Sequence, residues 1–285
     1  STHLVKAEQI DSPNMDQMDP ISINASQKIN INANLPFVLK TPNTGKSWLL
    51  IYDFGRVING NLQFNIEGEK GTKVEVLSSP FLIDGFFKHN LLNSNFRDQI
   101  ILSGGLDQWE SIYFNPSRYL ALVIEAKSPV KIIQVGSRQL QYPFERKGQI
   151  KAAQAPWVER YFDATDKTIR VCTTDAYTDN YRERRQYAQT GYYGAMGNHW
   201  IFGDTALQRR YLMQTAEEQE ANGIMPAYAP LKSNDYMIIL DSNLLWIRSL
   251  YQYYLFSGDH RTTQKLMANA YKLMELLHSF TNDSG

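Results

Sequence analysis

A nine-residue segment, Asp179–Tyr187, gathers two carboxylates, three guanidinium groups and two aromatic rings. A carboxyl group can move a proton, and guanidinium groups can hold hydroxyl or carboxylate oxygens through several hydrogen bonds. Aromatic rings add flat apolar faces on which a sugar can stack. These ingredients together are typical of a carbohydrate-processing site, although the same run, taken alone, is more often an exposed cluster of salt bridges.

The composition describes an ordinary globular protein with no surplus of positive charge. Hydrophobic residues make up 43% of the chain and charged residues 20%, which excludes the disordered class. The formal net charge is zero, so we expect no nucleic-acid partner. No apolar run approaches the roughly 20 residues that a membrane-spanning helix needs. The start of the chain, Ser1–Lys6, lacks the apolar core of a signal peptide but could follow a removed one.

The cysteine and histidine content predicts neither a metal cofactor nor an internal disulfide. Cys172 is the one cysteine, and its apolar neighbours favour a buried thiol over a nucleophile. The five histidines show no pairing at the spacing of metal ligands. We therefore predict no cofactor, while a structural calcium ion stays open.

The first half of the chain has the pattern of an antiparallel β-sandwich. With 285 residues, the chain is long enough for two domains. Short apolar runs with no helical pattern between them predict strands. These runs are Trp48–Phe54, Leu62–Ile66, Val74–Leu77, Gln99–Leu102, Ile112–Phe114, Tyr119–Ile124 and Val130–Val135. We predict turns at Asn59-Gly60-Asn61, Glu69-Lys70-Gly71, Ser103-Gly104-Gly105 and Asn115-Pro116-Ser117.

The second half changes to the helical period. Apolar positions at helical spacing, with capping residues and glycine stops, predict five helices. These are Pro156–Val171, Arg185–Phe202, a third from Asp204 toward Gly223, a fourth from Asp241 or Ser242 to Gly258, and a fifth from His260 to Phe280. We place the domain boundary at 147, so that 1–147 is a β-sandwich with an irregular N-terminal lead-in and 148–285 is helical.

Several of these segments resemble the bacterial α-L-rhamnosidases, a family of six-hairpin glycosidases. In the first half the resemblance lies in Tyr52–Gly60, Gly71–Val76 and Phe114–Tyr119. In the second half, Asp179–Tyr187 is similar to the catalytic loop of the family, and Leu240–Trp246 with Tyr254–Asp259 is similar to a later helix. The resemblance implies a β-sandwich followed by an (α/α)6 toroid, and an inverting hydrolysis of terminal α-L-rhamnosides in an oligosaccharide or polysaccharide.

The resemblance also implies roles for individual residues. Glu183 would be the general acid that protonates the leaving oxygen. Asp179 and Arg182 would hold the sugar or orient a carboxylate. The remaining candidate substrate contacts are Tyr187, Thr190, Trp200, Asp241 and Trp246. Three of these residues also have a simpler structural interpretation. Trp200 and Trp246 fit core packing, and Asp241 fits a helix N-cap.

Two departures from the family pattern bear on specificity. Asn180-Tyr181 replaces the Cys-Pro that usually follows the Asp, and Thr190 stands where a second, sugar-binding Asp is expected. A hydroxyl cannot supply the two charge-assisted acceptors of a carboxylate, so rhamnose is less firmly implied than the glycosidase class. In addition, neighbouring arginines lower the pKa of a carboxyl group, whereas a general acid needs a raised one.

The number of helices suggests that more protein is needed for catalysis. A six-hairpin toroid contains twelve helices, and the family's water-activating Glu comes late in the ring. We therefore expect these residues to be the front portion of a longer enzyme, or a truncated gene product, and to be inactive alone. The alternatives are a sugar-binding or structural remnant without catalysis, a different six-hairpin glycosidase, or a polysaccharide lyase. A homodimer stays open, as do a periplasmic, an extracellular and a cytoplasmic location.

Overall fold

The computed structural model describes residues 2–15, 21–22, 34–91, 94–179, 184–231 and 236–282. The chain divides into two compact units, Ser1–Leu140 and Gln141–Gly285, which we call the sandwich unit and the helical unit. The division falls after Leu140, whereas the sequence analysis placed it after Lys147. Tyr142 and Phe144 account for this difference, because both pack in the core of the helical unit.

The sandwich unit is built around one long central strand. Its strands are β1 His3–Asp11, β2 Ile21–Ser22, β3 Phe37–Leu39, β4 Lys46–Gly68, β5 Lys73–Ser79, β6 Phe86–Phe87, β7 Asn90–Leu91, β8 Ser94–Asn95, β9 Arg97–Ile101, β10 Gly105–Glu110, β11 Asn115–Glu125 and β12 Val130–Gln139. The main sheet has the antiparallel order β3-β12-β4-β11-β5-β9, and β1 and β10 also pair with β4. The first half of β4 pairs with β1 and β11, and its second half pairs with β10 and β12.

Both halves of β4 contribute to the same hydrophobic core, which makes the folded-over sheet a sandwich. Leu50 and Tyr52 from the first half join Phe64 and Ile66 from the second half in one buried cluster. The alternate residues of the first half, such as Leu49, point to a second buried cluster on the other face, as the period-2 geometry of a strand requires. The predicted antiparallel sandwich is confirmed.

Two predicted turns are wrong because the chain continues through them as strand. Asn59-Gly60-Asn61 lies inside β4, and Asn115-Pro116-Ser117 forms the start of β11, paired with 58–60. A Cβ on Gly60 would lie 2.3 Å from the carbonyl oxygen of Arg138, so the glycine permits close approach of β12 rather than a turn. Pro116 is tolerated because it lies near the strand end, just before a bulge.

Two other expectations for this half also fail, and one strand was not predicted. The segment Ile112–Phe114 is not a strand, and the side chain of Ile112 is 89% exposed. The N-terminal lead-in is not irregular throughout, because β1 pairs with β4 along its length. Strand β3 was not predicted, and it pairs with β12. Strands β1 and β3 exist through pairing with distant segments, which a local apolar pattern does not show.

The helical unit contains five described helices close to those predicted. They are α1 Pro156–Val171, α2 Ala188–Ile201, α3 Ala206–Glu217, α4 Leu240–Ser257 and α5 His260–Ser279. Helix α4 ends at Gly258, which has φ +65, and the side chain of Asp259 caps α5 by accepting a hydrogen bond from the amide of Thr262. The antiparallel sheet followed by packed helices confirms the predicted fold class.

The bounds of α2, α3 and α4 differ from the prediction. Helix α2 begins at Ala188 rather than Arg185, because Arg185 and Tyr187 form isolated bridges with Asp179 and Tyr228. Helix α3 ends at Glu217, well before Gly223. Helix α4 begins at Leu240, so Asp241 lies in its first turn and is not the N-cap.

Candidate active site

A cavity of about 530 Å³ lies between α1, α2 and the segment that joins them. We call it the α1–α2 cavity. Its lining includes Asp179 and Thr190, two of the residues assigned to substrate by the sequence analysis. Thr190 follows the catalytic-loop segment at the position where the family pattern has a second Asp. The structure therefore brings these two positions to one concave surface.

Asp179 is held at the cavity by a compact turn after α1. Thr178 donates its amide hydrogen to the carbonyl oxygen of Cys172 at 3.0 Å, and Thr173 forms a bridge with Tyr177. The amide of Asp179 then donates to the carbonyl oxygen of Arg185 at 3.0 Å. This bridge brings together the two ends of the predicted catalytic loop.

The central residues of that loop, Asn180, Tyr181, Arg182 and Glu183, lie outside the described residues. The roles of Glu183 as general acid and of Arg182 as an orienting group therefore stay predictions. The described residues on either side are Asp179 before this segment and Arg184 and Arg185 after it.

A glycine on α2 allows the turn to pack closely against the helix. A Cβ on Gly194 would lie 2.8 Å from the ring of Tyr177, closer than real side chains come. Tyr177 is 2% exposed, its hydroxyl accepts a hydrogen bond from Asn198, and burial raises its pKa. Gly194 therefore lets α2 form one wall of the cavity while Tyr177 supports its floor.

Two tyrosines of the cavity lining were not predicted from the sequence. Tyr161 on α1 and Tyr193 on α2 are 70% and 61% exposed, so each presents ring surface that a sugar could contact. Tyr161, Thr165 and Thr168 recur at helical spacing on one face of α1, and this was the signal that could have revealed Tyr161. The same cavity exposes part of Cys172, whose pKa is raised by burial and by the charge of Asp179.

A second cavity of about 420 Å³, which we call the arginine cavity, lies beside the loop. Arg184, Arg185 and Arg210 line it together with Asp175 and Gln186. Thr178 lines both cavities, so the two are neighbours.

Arg210 and Asp175 form an ion pair at the arginine cavity. The Nη2 of Arg210 donates to Oδ2 of Asp175 at 3.0 Å, and its Nη1 donates to the backbone oxygen of the same residue. Burial alone would raise the pKa of Asp175, but hydrogen bonds and charge from Arg210 outweigh it and lower the pKa. Asp175 is therefore a charged structural partner of Arg210.

The other predicted contact residues do not line either cavity. Tyr187 precedes α2 and packs edge-on against Tyr228 with ring centroids 5.5 Å apart. Asp241 is exposed and its Oδ2 accepts a hydrogen bond from Gln189 at 3.5 Å. Trp200 is 65% exposed and packs edge-on against Phe256, and its role as a platform stays a prediction.

The prediction that Trp246 stacks on substrate is corrected by its position. Its side chain has no exposed surface, and its indole nitrogen donates to the carbonyl oxygen of Leu212 at 3.1 Å. A ring without an exposed face has no surface to offer a sugar. Trp246 is a core residue, which is the simpler reading that its helical apolar pattern allowed.

The described residues contain neither a candidate metal site nor a membrane-spanning helix. Among them, no group of three or more His, Cys, Asp or Glu side chains is placed to hold a metal ion. Within the same residues, no helix combines the length and apolar character needed to cross a bilayer.

Two family models match the chain, one on each unit. Residues 145–284 match the bacterial alpha-L-rhamnosidase 6 hairpin glycosidase domain. Residues 44–135 match the bacterial alpha-L-rhamnosidase concanavalin-like domain. The chain belongs to the bacterial α-L-rhamnosidase family. The resemblance noted in the sequence is thereby confirmed.

Solved rhamnosidase structures share the fold of the chain. A GH78 family rhamnosidase from Bacillus sp. GL1 matches with a TM-score of 0.80 and 20% identity, over 89% of this chain and 26% of its own. A Klebsiella oxytoca rhamnosidase with rhamnose bound matches with a TM-score of 0.74 and 16% identity, over 100% of this chain and 58% of its own. An α-L-rhamnosidase from Streptomyces avermitilis, complexed with L-rhamnose, matches with a TM-score of 0.61 and 18% identity, over 82% and 23%.

The chain thus spans between about a quarter and three fifths of these rhamnosidases. No curated protein sequence matches it.

Proposed function

We propose that the protein is a glycoside hydrolase that removes terminal α-L-rhamnosyl units with inversion. The observation that carries this proposal is that Asp179, the first residue of the segment similar to the family's catalytic loop, and Thr190, which follows that segment, line one cavity. Membership of the rhamnosidase family supports the reaction class. The substrate would be an oligosaccharide or polysaccharide that contains rhamnose.

In this proposal Asp179 accepts hydrogen bonds from hydroxyls of the terminal sugar, and Thr190 contacts the same sugar with its hydroxyl. Glu183 protonates the departing glycosidic oxygen. Tyr161 and Tyr193 contribute ring surface to the rim of the α1–α2 cavity. The largely apolar remainder of the lining, which includes Ala164 and Ile169, suits the methyl group of a 6-deoxy sugar.

Glu183 can serve as an acid only if the charges around it are balanced. Adjacent guanidinium groups would lower its pKa, and a general acid at neutral pH needs a raised one. Among the described arginines of the arginine cavity, Arg210 is balanced by its ion pair with Asp175, whereas Arg185 keeps its charge and lies over the ring of Tyr228, 4.5 Å from its centroid.

We further propose that the water-activating carboxylate belongs to a helix outside the described residues. The described helical unit supplies five helices, and a six-hairpin ring has twelve. An inverting mechanism separates acid and base by roughly 6.5–9.5 Å to admit a water molecule. The described residues alone are therefore proposed to bind sugar without hydrolysing it.

The experiment uses the longest polypeptide that the gene encodes and a pair of rhamnosides with good and poor leaving groups. Replacing Glu183 by Gln should lower kcat/KM for an alkyl rhamnoside by about 10²–10⁴-fold. The loss on a nitrophenyl rhamnoside should be much smaller, since that leaving group needs little protonation. Nuclear magnetic resonance of the first-formed sugar should show the inverted anomer.

The matched control is Glu217→Gln, which makes the same change on the exposed face of α3. We expect its kinetic constants to equal those of the unmodified enzyme. Equal activity of Glu183→Gln on the alkyl rhamnoside would remove Glu183 from the acid role. If the enzyme hydrolysed a different glycoside and no rhamnoside, the family assignment would stand, and rhamnose would be rejected as the substrate sugar.

A second candidate function is sugar binding without catalysis, favoured by Thr190. The hydroxyl at this position supplies weaker acceptor capacity than the expected carboxylate. Replacing Thr190 by Asp distinguishes the two. In a working hydrolase the variant should change KM for rhamnosides, whereas a protein that only binds sugar would show no turnover before or after the change.

A further inference from the structure

We propose that the arginine cavity binds the carboxylate of an acidic sugar, so that the substrate carries a uronic acid next to the terminal sugar. The inference rests on the proposed function and adds the class of the neighbouring unit. Three features of the cavity support it, namely the charges of its lining, its hydrogen-bond geometry and its location.

The lining of the arginine cavity is strongly cationic. Arg184, Arg185 and Arg210 supply three guanidinium groups, and Asp175 supplies the one carboxylate among the described lining residues. Each guanidinium carries five N–H donors, so an existing partner leaves donors for a ligand. Arginine donors arranged around a concave surface suit a planar carboxylate, which can accept two parallel hydrogen bonds.

The arginines are held by different parts of the unit. Arg210 lies on α3 and is fixed by its bonds to Asp175. Arg185 is fixed over the buried ring of Tyr228. Arg184 has a left-handed backbone with φ +53, directly beside it in the chain. The three arginines come from two different elements and are held in place by these contacts. They are therefore not simply the solvent-exposed face of one helix.

The side chain of Gln186 indicates that the ligand also carries a hydrogen-bond donor, such as a hydroxyl group. It is 6% exposed and lines the cavity. Its Nε2 donates both hydrogens, to Oε1 of Gln214 at 2.9 Å and to the carbonyl oxygen of Ala229 at 2.8 Å. The amide orientation is thereby fixed, because a carbonyl oxygen can only accept. The remaining atom, Oε1, accepts no hydrogen bond from any described residue.

A buried acceptor of this kind costs free energy unless a donor reaches it. A simple anion, such as sulfate or acetate, satisfies the arginines but brings no donor for Oε1 of Gln186. A uronic acid brings both, a carboxylate for the guanidinium groups and ring hydroxyls for the amide oxygen. The combination therefore favours an acidic sugar over a bare anion.

The position of the arginine cavity suits a unit that follows the terminal sugar. Thr178 lines both cavities, and the bridge between Asp179 and Arg185 joins a residue of one lining to a residue of the other. A disaccharide could thus place its terminal ring at Asp179 and its acidic ring at the arginines.

The test is calorimetric binding of three probes to the whole chain, which requires no turnover. The probes are a methyl galacturonoside, its neutral methyl ester and acetate. We expect the galacturonoside to bind about tenfold more tightly than the ester, since hydrogen bonds to charged groups are lost with the charge. Its affinity should fall as salt is added, while that of the ester should not.

The variant is Arg184→Asn, which removes the charge with a residue that tolerates a left-handed φ. It should weaken galacturonoside binding about tenfold and leave ester binding unchanged. Arg185→Gln is the second variant, and retained melting temperature shows that each folds. The control is Arg209→Gln, which removes the neighbouring guanidinium on α3, outside the cavity lining. We expect it to bind all probes like the unmodified chain.

Each contrary outcome overturns a defined part of the inference. Equal affinity for acid and ester would reject carboxylate recognition, and acetate binding as tight as the galacturonoside would reject the sugar. Equal loss in Arg184→Asn and Arg209→Gln would place binding elsewhere. Galacturonoside binding in a protein that hydrolyses no rhamnoside would instead reject only the proposed function.

Discussion

The central strand of the sandwich unit and the last two helices of the helical unit differ in how far they bury their large apolar side chains. In the sandwich unit, the central strand β4 is buried on both faces, and Leu49, Leu50 and Ile51 have no exposed surface. In the helical unit, large side chains remain exposed along the last two helices. They include Leu244, Tyr251 and Leu255 on α4 and Tyr271 and Met274 on α5.

The difference follows from how sheets and helices find neighbours. In a sheet that folds over on itself, neighbouring strands pair the backbone hydrogen-bonding groups, and the two halves cover each other's inner face. A helix in a ring of hairpins has apolar surface on more than one side and needs neighbours there. The sandwich unit should therefore have its stability determined internally, whereas the helical unit keeps apolar surface that a further partner could cover.

The largest expected effect tests the core of the helical unit. Trp246→Ala should lower the free energy of unfolding of that unit by about 3–5 kcal/mol, because it empties a fully buried site and loses the bond to Leu212. Trp200→Ala, on an exposed ring, should cost less than about 1 kcal/mol. Hydrogen exchange read separately for each unit measures both. Similar costs for the two tryptophans would contradict the core assignment.

A smaller effect is expected at the buried carboxylate of the sandwich unit. Glu75 is 2% exposed and accepts hydrogen bonds from Arg97 and Gln99. Replacing it by Gln should cost about 2–3 kcal/mol, since Arg97 and Lys73 both lose their charged partner in a site that water only partly reaches. The control is Glu67→Gln, whose exposed pair with Lys131 should contribute under about 1 kcal/mol. Denaturant unfolding that shows equal costs would argue against the buried pair.

The two units should also respond differently to acid. Burial lowers the pKa of His199 below its ordinary 6.5, despite Gln208 and Asp204, so protonation favours unfolding and stability is lost as pH falls below that value. Burial opposes but Arg97 lowers the pKa of Glu75 below its ordinary 4.5, so its contribution is complete above pH 4.5 and is lost further down.

When the pH is lowered, the helical unit should therefore lose stability before the sandwich unit does. Hydrogen exchange measures the stability of each unit. His199→Gln should flatten the decline of the helical unit between pH 7 and pH 5, and Glu75→Gln should not alter it. A helical unit whose stability stays constant over this range would show that His199 does not titrate differently on folding.

The smallest effect on stability concerns the exposed apolar face. Leu255→Gln should change the free energy of unfolding by no more than about 0.5 kcal/mol, because the side chain is already 58% exposed. It should nevertheless reduce self-association, measured by light scattering. The same change at Leu106 on β10, which is 54% exposed, serves as the control in the sandwich unit. Equal reduction in both would remove the distinction between the units.

The sequence predicted best what depends on local pattern. The bounds of α1 agree with the prediction, and Gly258 ends α4 as expected, because helical periodicity and caps are properties of neighbouring residues. The passage of β4 through Asn59-Gly60-Asn61 was not predictable in this way. It depends on β10 and β12, which pair with the second half of β4 from far along the chain.

The same distinction applies to the candidate site. Asp179 and Thr190 were found because they belong to one motif. The arginine cavity was not, since Arg210 joins Arg184 and Arg185 only when α3 packs beside the loop. Trp246 shows the limit of residue type as a guide, because an aromatic ring in an apolar helical pattern fits a core and a sugar platform equally well until its burial is known.

The long strand β4 has a consequence for how the sandwich unit breaks down. Four neighbours, β1, β10, β11 and β12, each draw backbone hydrogen bonds from this one 23-residue segment. A protease that nicked it would deprive all four of a template at once. Limited digestion should accordingly yield either the intact unit or small peptides, without a ladder of stable, partly trimmed products.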